Sequence, residues 1–346
     1  MTRRPARLLE RGRTPARRPS LTNPLHDLAI IIVSTNEARW LSPCLRSVFA
    51  HQGDVELDVV VADNQSTDGT RELVEREFEA ARVLTCENHG FGHANNRAFV
   101  STDARYVLFL NPDTEIVGGE FADLVAVMDA CSDLGLVGVR QLDPLGKLWP
   151  TMRRFPSPGR AWGEALVGEQ LPLPWWGERV LNMGRYDHEA PCDWTSGSFM
   201  LARREALESA GFFDERFFIY SEEPDLCLRI RHAGWEIRHL PQMTIVHHEG
   251  KAGISDRIAA QEAFARRQYA EKHFSPWRRR SYLAAVAVRY ALRSAPLGRG
   301  GERREQRRAA ARRALRTLVG RQAPPYGVPP PTAVISRRPA QRRPST

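Results

Sequence analysis

Asp113 stands in the run Asn111-Pro112-Asp113, directly after the apolar residues 106–110. A carboxylate at such a place can hold a hard divalent cation through oxygen. Glu222, Glu223 and Asp225 crowd around Pro224, and a positioned carboxylate can take a proton from a reacting hydroxyl. His247 and His248 are adjacent, and either ring can ligate a metal. Each group also has a plainer reading: an Asn-Pro-Asp turn, acids favouring a helix start, and a surface histidine pair.

The surrounding pattern places these groups. Residues 106–110 form a short unbroken apolar run, as expected of a strand buried on both faces of a sheet. Proline cannot donate to a sheet ladder and holds the residue before it extended, so the strand ends at Asn111. Residues 28–34 and 57–62 read as two further strands, and 82–85 as a short one. Thr35 and Glu37 follow the first, Asp63 and Asp68 the second, Asn88 the third. Between them the periodicity predicts helices, among them 71–78, 121–130 and one packing through Leu41, Leu45 and Val48. Strand and helix alternate through residues 28–139, which predicts a parallel sheet with right-handed crossovers. The polar clusters then converge on its carboxyl edge, where open α/β sheets bind ligands. Neither G-x-G-x-x-G after the first strand nor G-x-x-x-x-G-K-[ST] occurs, which argues against a dinucleotide fold and a P-loop.

Asp143 to Gly146 reads as a hairpin turn. Residues 155–190 read as a long irregular insertion rich in Trp and Pro, with one helix near 160–168. Gly197 offers close backbone approach to a ligand. Ser221 reads as the cap of a helix running to about Ala233, with Gly234 closing it. Residues 235–240 and 243–246 read as short strands, and 255–273 as a helix.

The charge is unevenly spread. The 346 residues carry a formal +9, of which residues 1–24 contribute +6 and 275–346 contribute +16, leaving −13 on 25–274. An acidic body between basic arms argues against nucleic-acid binding across the main surface. Residues 1–25 read as a disordered basic arm and 275–346 as a basic tail, helical then disordered, around one domain at 26–274. The tail reads as a solvated extension or as an attachment to anionic lipid, where each basic residue near the surface is worth ~1 kcal/mol; a nucleic-acid arm is a third reading, disfavoured because no interleaved reading motif accompanies the charge. The 5 cysteines are scattered without CxxC spacing, which reads as reduced thiols in a cytosolic setting with no zinc site. No apolar run approaches the roughly 18–20 residues that span a bilayer, and the N-terminus lacks the apolar core of a signal peptide.

Taken in order, residues 30–37, 60–70, 88–97, 109–115, 196–201, 211–231 and 247–250 resemble family 2 glycosyltransferases of the GT-A fold, and among them rhamnosyltransferase-type enzymes of cell-wall and polysaccharide assembly. The resemblance implies a Rossmann-like, mostly parallel sheet flanked by helices. It implies an inverting transfer, aided by Mg2+ or Mn2+, from a dTDP- or UDP-sugar to a hydroxyl of a glycan or polyprenyl-linked acceptor. With the thiols and the N-terminus it is consistent with a cytoplasmic protein, for which the basic tail and a lipid-linked acceptor offer a peripheral contact with the inner face of the plasma membrane as a further hypothesis. A non-catalytic nucleotide-sugar binder or scaffold is the competing reading.

The resemblance also implies roles. Thr35, Glu37, Asp63, Asp68, Asn88 and Asn111 fall on the donor side. Asn111-Pro112-Asp113 stands where the family has D-x-D. Asn replaces the first Asp, so Asp113 is the main metal carboxylate, with His247 beside it. Glu222-Glu223 matches an E-D pair whose second acid is the catalytic base, making Glu223 the base. Gly197, Glu222, Asp225 and Arg229 fall on the acceptor side.

Overall fold

Residues 28–32 are fully buried, and their side chains alternate between two separate cores. Leu28, Ile30 and Ile32 join one core, Ala29 and Ile31 the other. Period-two geometry sends successive side chains to opposite faces, so a strand covered on both sides reads as an unbroken apolar run. This strand is β1 (His26–Ser34) of a computed structural model that describes residues 25–168, 176–248, 255–295 and 301–329.

The elements continue with α1 (Ala38–Ala50), β2 (Leu57–Asp63), α2 (Thr70–Glu77), β3 (Ala81–Thr85), α3 (Phe91–Phe99), β4 (Ala104–Leu110), β5 (Thr114–Gly118) and α4 (Phe121–Ala130). Then come β6 (Leu134–Leu142), β7 (Leu148–Trp149), α5 (Pro158–Leu166), a 3₁₀ turn (Met183–Asp187), β8 (Ala190–Pro191), β9 (Phe199–Arg203) and α6 (Arg204–Ala210). The rest is α7 (Glu222–His232), β10 (Glu236–His247), α8 (Asp256–His273), α9 (Pro276–Ser294) and α10 (Glu302–Leu318).

The sheet runs β3-β2-β1-β4-β9-β6-β10-β5, with β7 on β6 and β8 on β10. β3, β2, β1 and β4 are parallel. α1 and α4 cover one face through Leu41, Leu45, Phe121 and Leu124. α3, α6 and α7 cover the other through Ala94, Leu207, Leu226 and Ile230.

The sheet is mostly parallel, as expected, with antiparallel members that include two long-range insertions. β9 lies antiparallel between β4 and β6, and β5 is antiparallel to β10 at the far edge. Nothing in local periodicity fixes strand direction. The two strands expected at 235–240 and 243–246 are one strand, β10, with a register shift between Leu240 and Thr244. Pro241 sits at that irregularity, the place where a strand tolerates a residue that cannot donate.

Beyond the sheet, α5, α8, α9 and α10 share a small core of Ala161, Ala263, Tyr282, Val286, Ala311, Ala314 and Leu318. Arg289 of α9 pairs with Glu164 of α5 at 3.0 Å, both buried. The helices of the basic tail therefore lie against the body. The arm at 1–24, and the end from 330, fall outside the described residues.

Candidate active site

The parallel strands deliver their carboxyl ends side by side, with Ser34 level with Asp63 and Asp63 level with Thr85. The loops beyond are tied to one another. Asn36 has φ 56° and Gln65 φ 62°, left-handed conformations that non-glycine residues adopt chiefly where surrounding contacts enforce them. Those contacts are present: the Asn36 amide donates to Ser66 Oγ at 3.0 Å, and Thr67 N–H donates to Asn36 Oδ1 at 2.7 Å. Asp68 accepts from Ala38 N–H at 2.9 Å and from the Thr70 hydroxyl at 2.6 Å. Burial pushes its carboxyl up, but those hydrogen bonds prevail and hold it below the usual range. Asp68 thus braces the second loop against the start of α1.

Asp63 is buried and accepts from Ser66 N–H through Oδ1 at 3.0 Å. Asn88 accepts from Asn64 Nδ2 at 3.0 Å, joining the ends of β2 and β3. Thr35 is exposed. Glu37 directly precedes α1 but does not cap it. Burial, then the nearby Asp113 carboxylate, raises its carboxyl. Glu37 therefore shares its space with Asp113.

The β5–β10 pairing sets His247 opposite Thr114, one residue past Asp113. His247 Nε2 lies 3.1 Å from Asp113 Oδ1 and 3.3 Å from Asn111 Nδ2. His248 points elsewhere: its Nε2 meets Glu115 Oε1 at 2.8 Å, and its ring stacks on Trp40 with centroids 4.6 Å apart. The far nitrogen of His247, Nδ1, is 3.2 Å from Gln141 Nε2, and Gln141 Oε1 accepts from Ser198 Oγ at 2.7 Å. Gln141 and Ser198 were not among the residues expected at the site. The available signal was a buried polar residue near the end of the apolar strand β6, LGLVGVRQL.

Among the described residues no cluster of three His, Cys, Asp or Glu side chains stands ready to enclose a metal. The donor set still fits a hard cation held at one side. One carboxylate (Asp113), one amide oxygen (Asn111, with its side chain flipped) and one imidazole (His247) converge, and such ions commonly complete their shell with water and substrate phosphate. An amide flip at Gln141 would let its oxygen accept from His247 Nδ1–H and free Nε2 for the ion, the usual outer support of a histidine ligand.

Glu222 and Glu223 open α7. Ser221 does not cap that helix: its hydroxyl accepts no bond there, and both Tyr220 (φ 71°) and Ser221 (φ 68°) are left-handed. This strained turn swings the two acids inward. It is anchored from α3, where Phe91 N–H donates to the Phe218 carbonyl at 2.8 Å, and His93 and Asn96 both hold Glu215 at 2.8 Å. Gly90 (φ 104°) fits here because a Cβ would collide with the Phe218 carbonyl.

Glu222 is only 2% exposed, and its Oε2 has no hydrogen-bond partner among the described residues. Burial, then the neighbouring Glu223 charge, raises its carboxyl well above the ordinary range. Glu223 is half-buried beside Gly197. Burial raises it too, against the pull of backbone hydrogen bonds and Arg153. Both carboxyls are thus held toward the protonated form, and Glu222 is the more deeply buried of the two.

Asp225 is fully buried among three basic groups. Arg229 Nη2 is 2.7 Å away, Lys272 Nζ 2.5 Å and His273 Nε2 2.6 Å. Arg229 also donates to the Ala210 carbonyl. Asp225 and Arg229 thus lock α7 to α8 and α6.

The two halves of the site meet at Ser196-Gly197-Ser198. Asn111 N–H donates to the Ser198 carbonyl at 3.1 Å, while Gly197 touches Glu223. The family model for "Glycosyl transferase family 2" matches residues 29–210. The chain belongs to glycosyl transferase family 2. The chain is 32% identical over 267 residues to the N-acetylglucosaminyl-diphospho-decaprenol L-rhamnosyltransferase of Mycobacterium tuberculosis, covering 73% of this chain and 87% of that one. It is 26% identical to rhamnosyltransferase WbbL of Escherichia coli K12, covering 63% and 82%. In fold, this glycosyltransferase is similar to GalNAc-T7, solved with UDP, GalNAc and Mn2+ (TM-score 0.58, 14% identity, 83% of this chain and 54% of that one). It is similar also to the mannosyltransferase PcManGT of Pyrobaculum calidifontis, solved with GDP-Man and Mn2+ (TM-score 0.50, 18% identity, 88% and 91%). The mostly parallel sheet flanked by helices is that of GT-A glycosyltransferases.

Proposed function

We propose that this enzyme transfers a sugar, rhamnose from dTDP-rhamnose in first place, to a hydroxyl of a polyprenyl-diphosphate-linked GlcNAc acceptor, with inversion at the anomeric carbon. The observation that carries the reading is Gly197, which brings Glu223 against the same short segment whose next residue, Ser198, holds Asn111. A base and a metal edge joined by adjacent residues suit a single displacement, in which one carboxylate takes the acceptor proton as the hydroxyl attacks. A scaffold has no use for an acid held in that position.

The chain's own residues divide the work. Asp63 and Asn88 line the donor edge, with Asp68 and Asn36 holding its loops in shape. Asp113, Asn111 and His247 would hold Mg2+ or Mn2+, which, when bound, neutralises charge on the leaving diphosphate. Glu222, whose burial favours its neutral form, lies beside Glu223, and Asp225 with Arg229 fixes the helix that carries both. The sugar rests on the names of both relatives, the acceptor on that of the Mycobacterium tuberculosis relative alone, and the metal on the donor set together with the Mn2+ of the two structural neighbours.

Calorimetric titration with dTDP, UDP and GDP, each with and without Mn2+, tests the reading. Metal-dependent binding of one nucleotide is expected, with dTDP favoured. A folded protein that binds none of them refutes it.

A lipid-linked acceptor puts the enzyme at a membrane surface. No helix among the described residues is long and apolar enough to cross one. Trp277, 77% exposed at the start of α9 with Arg280 over its ring and Arg278 beside it, suits an interface with anionic lipid. Deleting residues 275–346 would expose the core shared by α5, α8 and α9, so point changes are the cleaner probe. Trp277→Ser with Arg278→Gln and Arg280→Gln is expected to reduce sedimentation with anionic vesicles, and unchanged sedimentation refutes the contact.

A further inference from the structure

We propose that Arg153 and Arg179 form a diphosphate-binding pair on the acceptor side of Glu223, which takes the diphosphate of the lipid-linked acceptor. The inference rests on the transfer reading above and specifies how the acceptor is held.

The two arginines come from distant parts of the irregular segment between β7 and β9, and meet in an isolated antiparallel bridge. Arg153 is bridged equally to Trp194, whose carbonyl accepts its N–H at 2.9 Å. Each guanidinium lies over an indole: Arg153 is 5.6 Å from the Trp194 centroid, Arg179 5.5 Å from that of Trp149. The aromatic rings hold the cations in place without neutralising them.

Neither side chain makes a hydrogen bond or ion pair with a described residue, and Arg153 Nε is buried without a partner. Two of the nearby acids, Glu178 and Glu164, are already engaged. Glu178 Oε1 is 3.1 Å from Arg266, and Glu164 Oε2 is 3.0 Å from Arg289. Arg154 is spent on the carbonyls of Gly177 and Arg179, at 3.3 and 3.0 Å. Apart from the Glu223 carboxyl, the two adjacent cations face no acid among the described residues that is not already paired, and an anion that joins them gains the attraction of both. The planar fork of a guanidinium matches phosphate oxygens two at a time.

Position selects the acceptor rather than the donor. Along residues 194–198, Arg153 holds Trp194, Glu223 touches Gly197, and Asn111 holds Ser198. The base therefore stands between the arginine pair and the metal edge. The donor diphosphate belongs at Asp113 and His247. A second diphosphate, on the other side of the base, belongs to the molecule whose hydroxyl the base deprotonates. Arg153 also draws the Glu223 carboxyl downward, which places its charge within reach of the base.

The test uses the full chain and farnesyl diphosphate as probe, in EDTA so that the metal edge stays silent. Wild type is expected to bind it, with Arg153→Gln and Arg179→Gln each about 10- to 100-fold weaker and Arg153→Lys between. Mn2+-dependent dTDP binding is expected to stay unchanged in all three, which also establishes that they fold. In turnover, KM is expected to rise for a short-chain polyprenyl-diphosphate GlcNAc acceptor and not for an octyl GlcNAc glycoside. Equal binding of farnesyl diphosphate by wild type and variants overturns the proposal. So does a loss that falls on dTDP instead, or equally on both acceptors. If the probe result holds while wild type transfers no sugar to either acceptor, the diphosphate subsite stands and the transfer reading fails.

Discussion

Gly197 lies so close to Glu223 that a Cβ built on it would sit 2.7 Å from the Glu223 Oε1. The nearest atom is the end of a flexible side chain, so the added methyl displaces the carboxylate rather than the backbone. Gly197→Ala is expected to fold with a stability change within about 1 kcal/mol, yet to lose at least about 10-fold in kcat, since misplacement by about 1 Å costs on the order of 100-fold. Nucleotide affinity should stay near wild type. Full activity in a folded Gly197→Ala protein would place the reacting atoms away from Glu223.

The metal edge gives a prediction of a different kind. Asp113 Oδ1 and His247 Nε2 are 3.1 Å apart, and Asp113 is the one carboxylate of the trio with Asn111. Loss of a group that merely supports a ligand costs about 10–100-fold in metal affinity, so loss of the carboxylate itself should exceed ~100-fold. Asp113→Ala should therefore abolish the Mn2+-dependent part of nucleotide binding. EDTA should have the same effect on the wild type. Titration of Mn2+ followed by its electron paramagnetic resonance signal reads the loss directly, and undiminished Mn2+ affinity would remove Asp113 from the site.

Asp225 predicts stability rather than turnover. Burial pushes its carboxyl up, but His273, Arg229 and Lys272 outweigh burial and hold it below the ordinary value of 3.8. A folded value below the unfolded one adds stability that is fully present above the ordinary value and is lost as pH falls through the depressed one. Asp225→Asn strands buried cations and should cost about 3–5 kcal/mol at neutral pH. Urea unfolding should show the gap between wild type and variant closing in acid. A gap that stays constant down to about pH 2 would show that the charge of Asp225 is not what locks α7 to α8.

The sequence made the carboxyl edge of the parallel strands legible because a strand buried on both faces announces itself. The apolar runs of β1, β2 and β4 each stop at polar residues, and alternation with helices puts those stops side by side. Strand direction was not legible. β9 enters antiparallel between β4 and β6, yet its residues FMLAR would read the same in either sense. β5 escaped notice because five residues after a proline turn reveal nothing of a partner some 130 positions later in β10. The packing of α9 and α10 was hidden by composition: their contacts run through Ala285, Ala311 and Ala314 and a buried Arg289–Glu164 pair, so arginine-rich helices passed for a solvated tail. Gln141, Ser198 and Arg153 were missed for a related reason. Each sits among residues that look structural, and only pairing across the sheet or the insertion brings it to the site.

The central claim is that Glu223 accepts the acceptor proton. Burial raises its carboxyl above the ordinary glutamate value, so turnover should fall as pH drops through that raised value while nucleotide binding persists. The most direct measurement is sugar transfer by Glu223→Gln, made alongside calorimetry of its Mn2+-dependent nucleotide binding. The expected result is a loss of about 100- to 10,000-fold in kcat with nucleotide affinity within about 3-fold of wild type. Turnover near the wild-type rate, or a loss of nucleotide binding that accounts for the whole effect, would contradict the assignment.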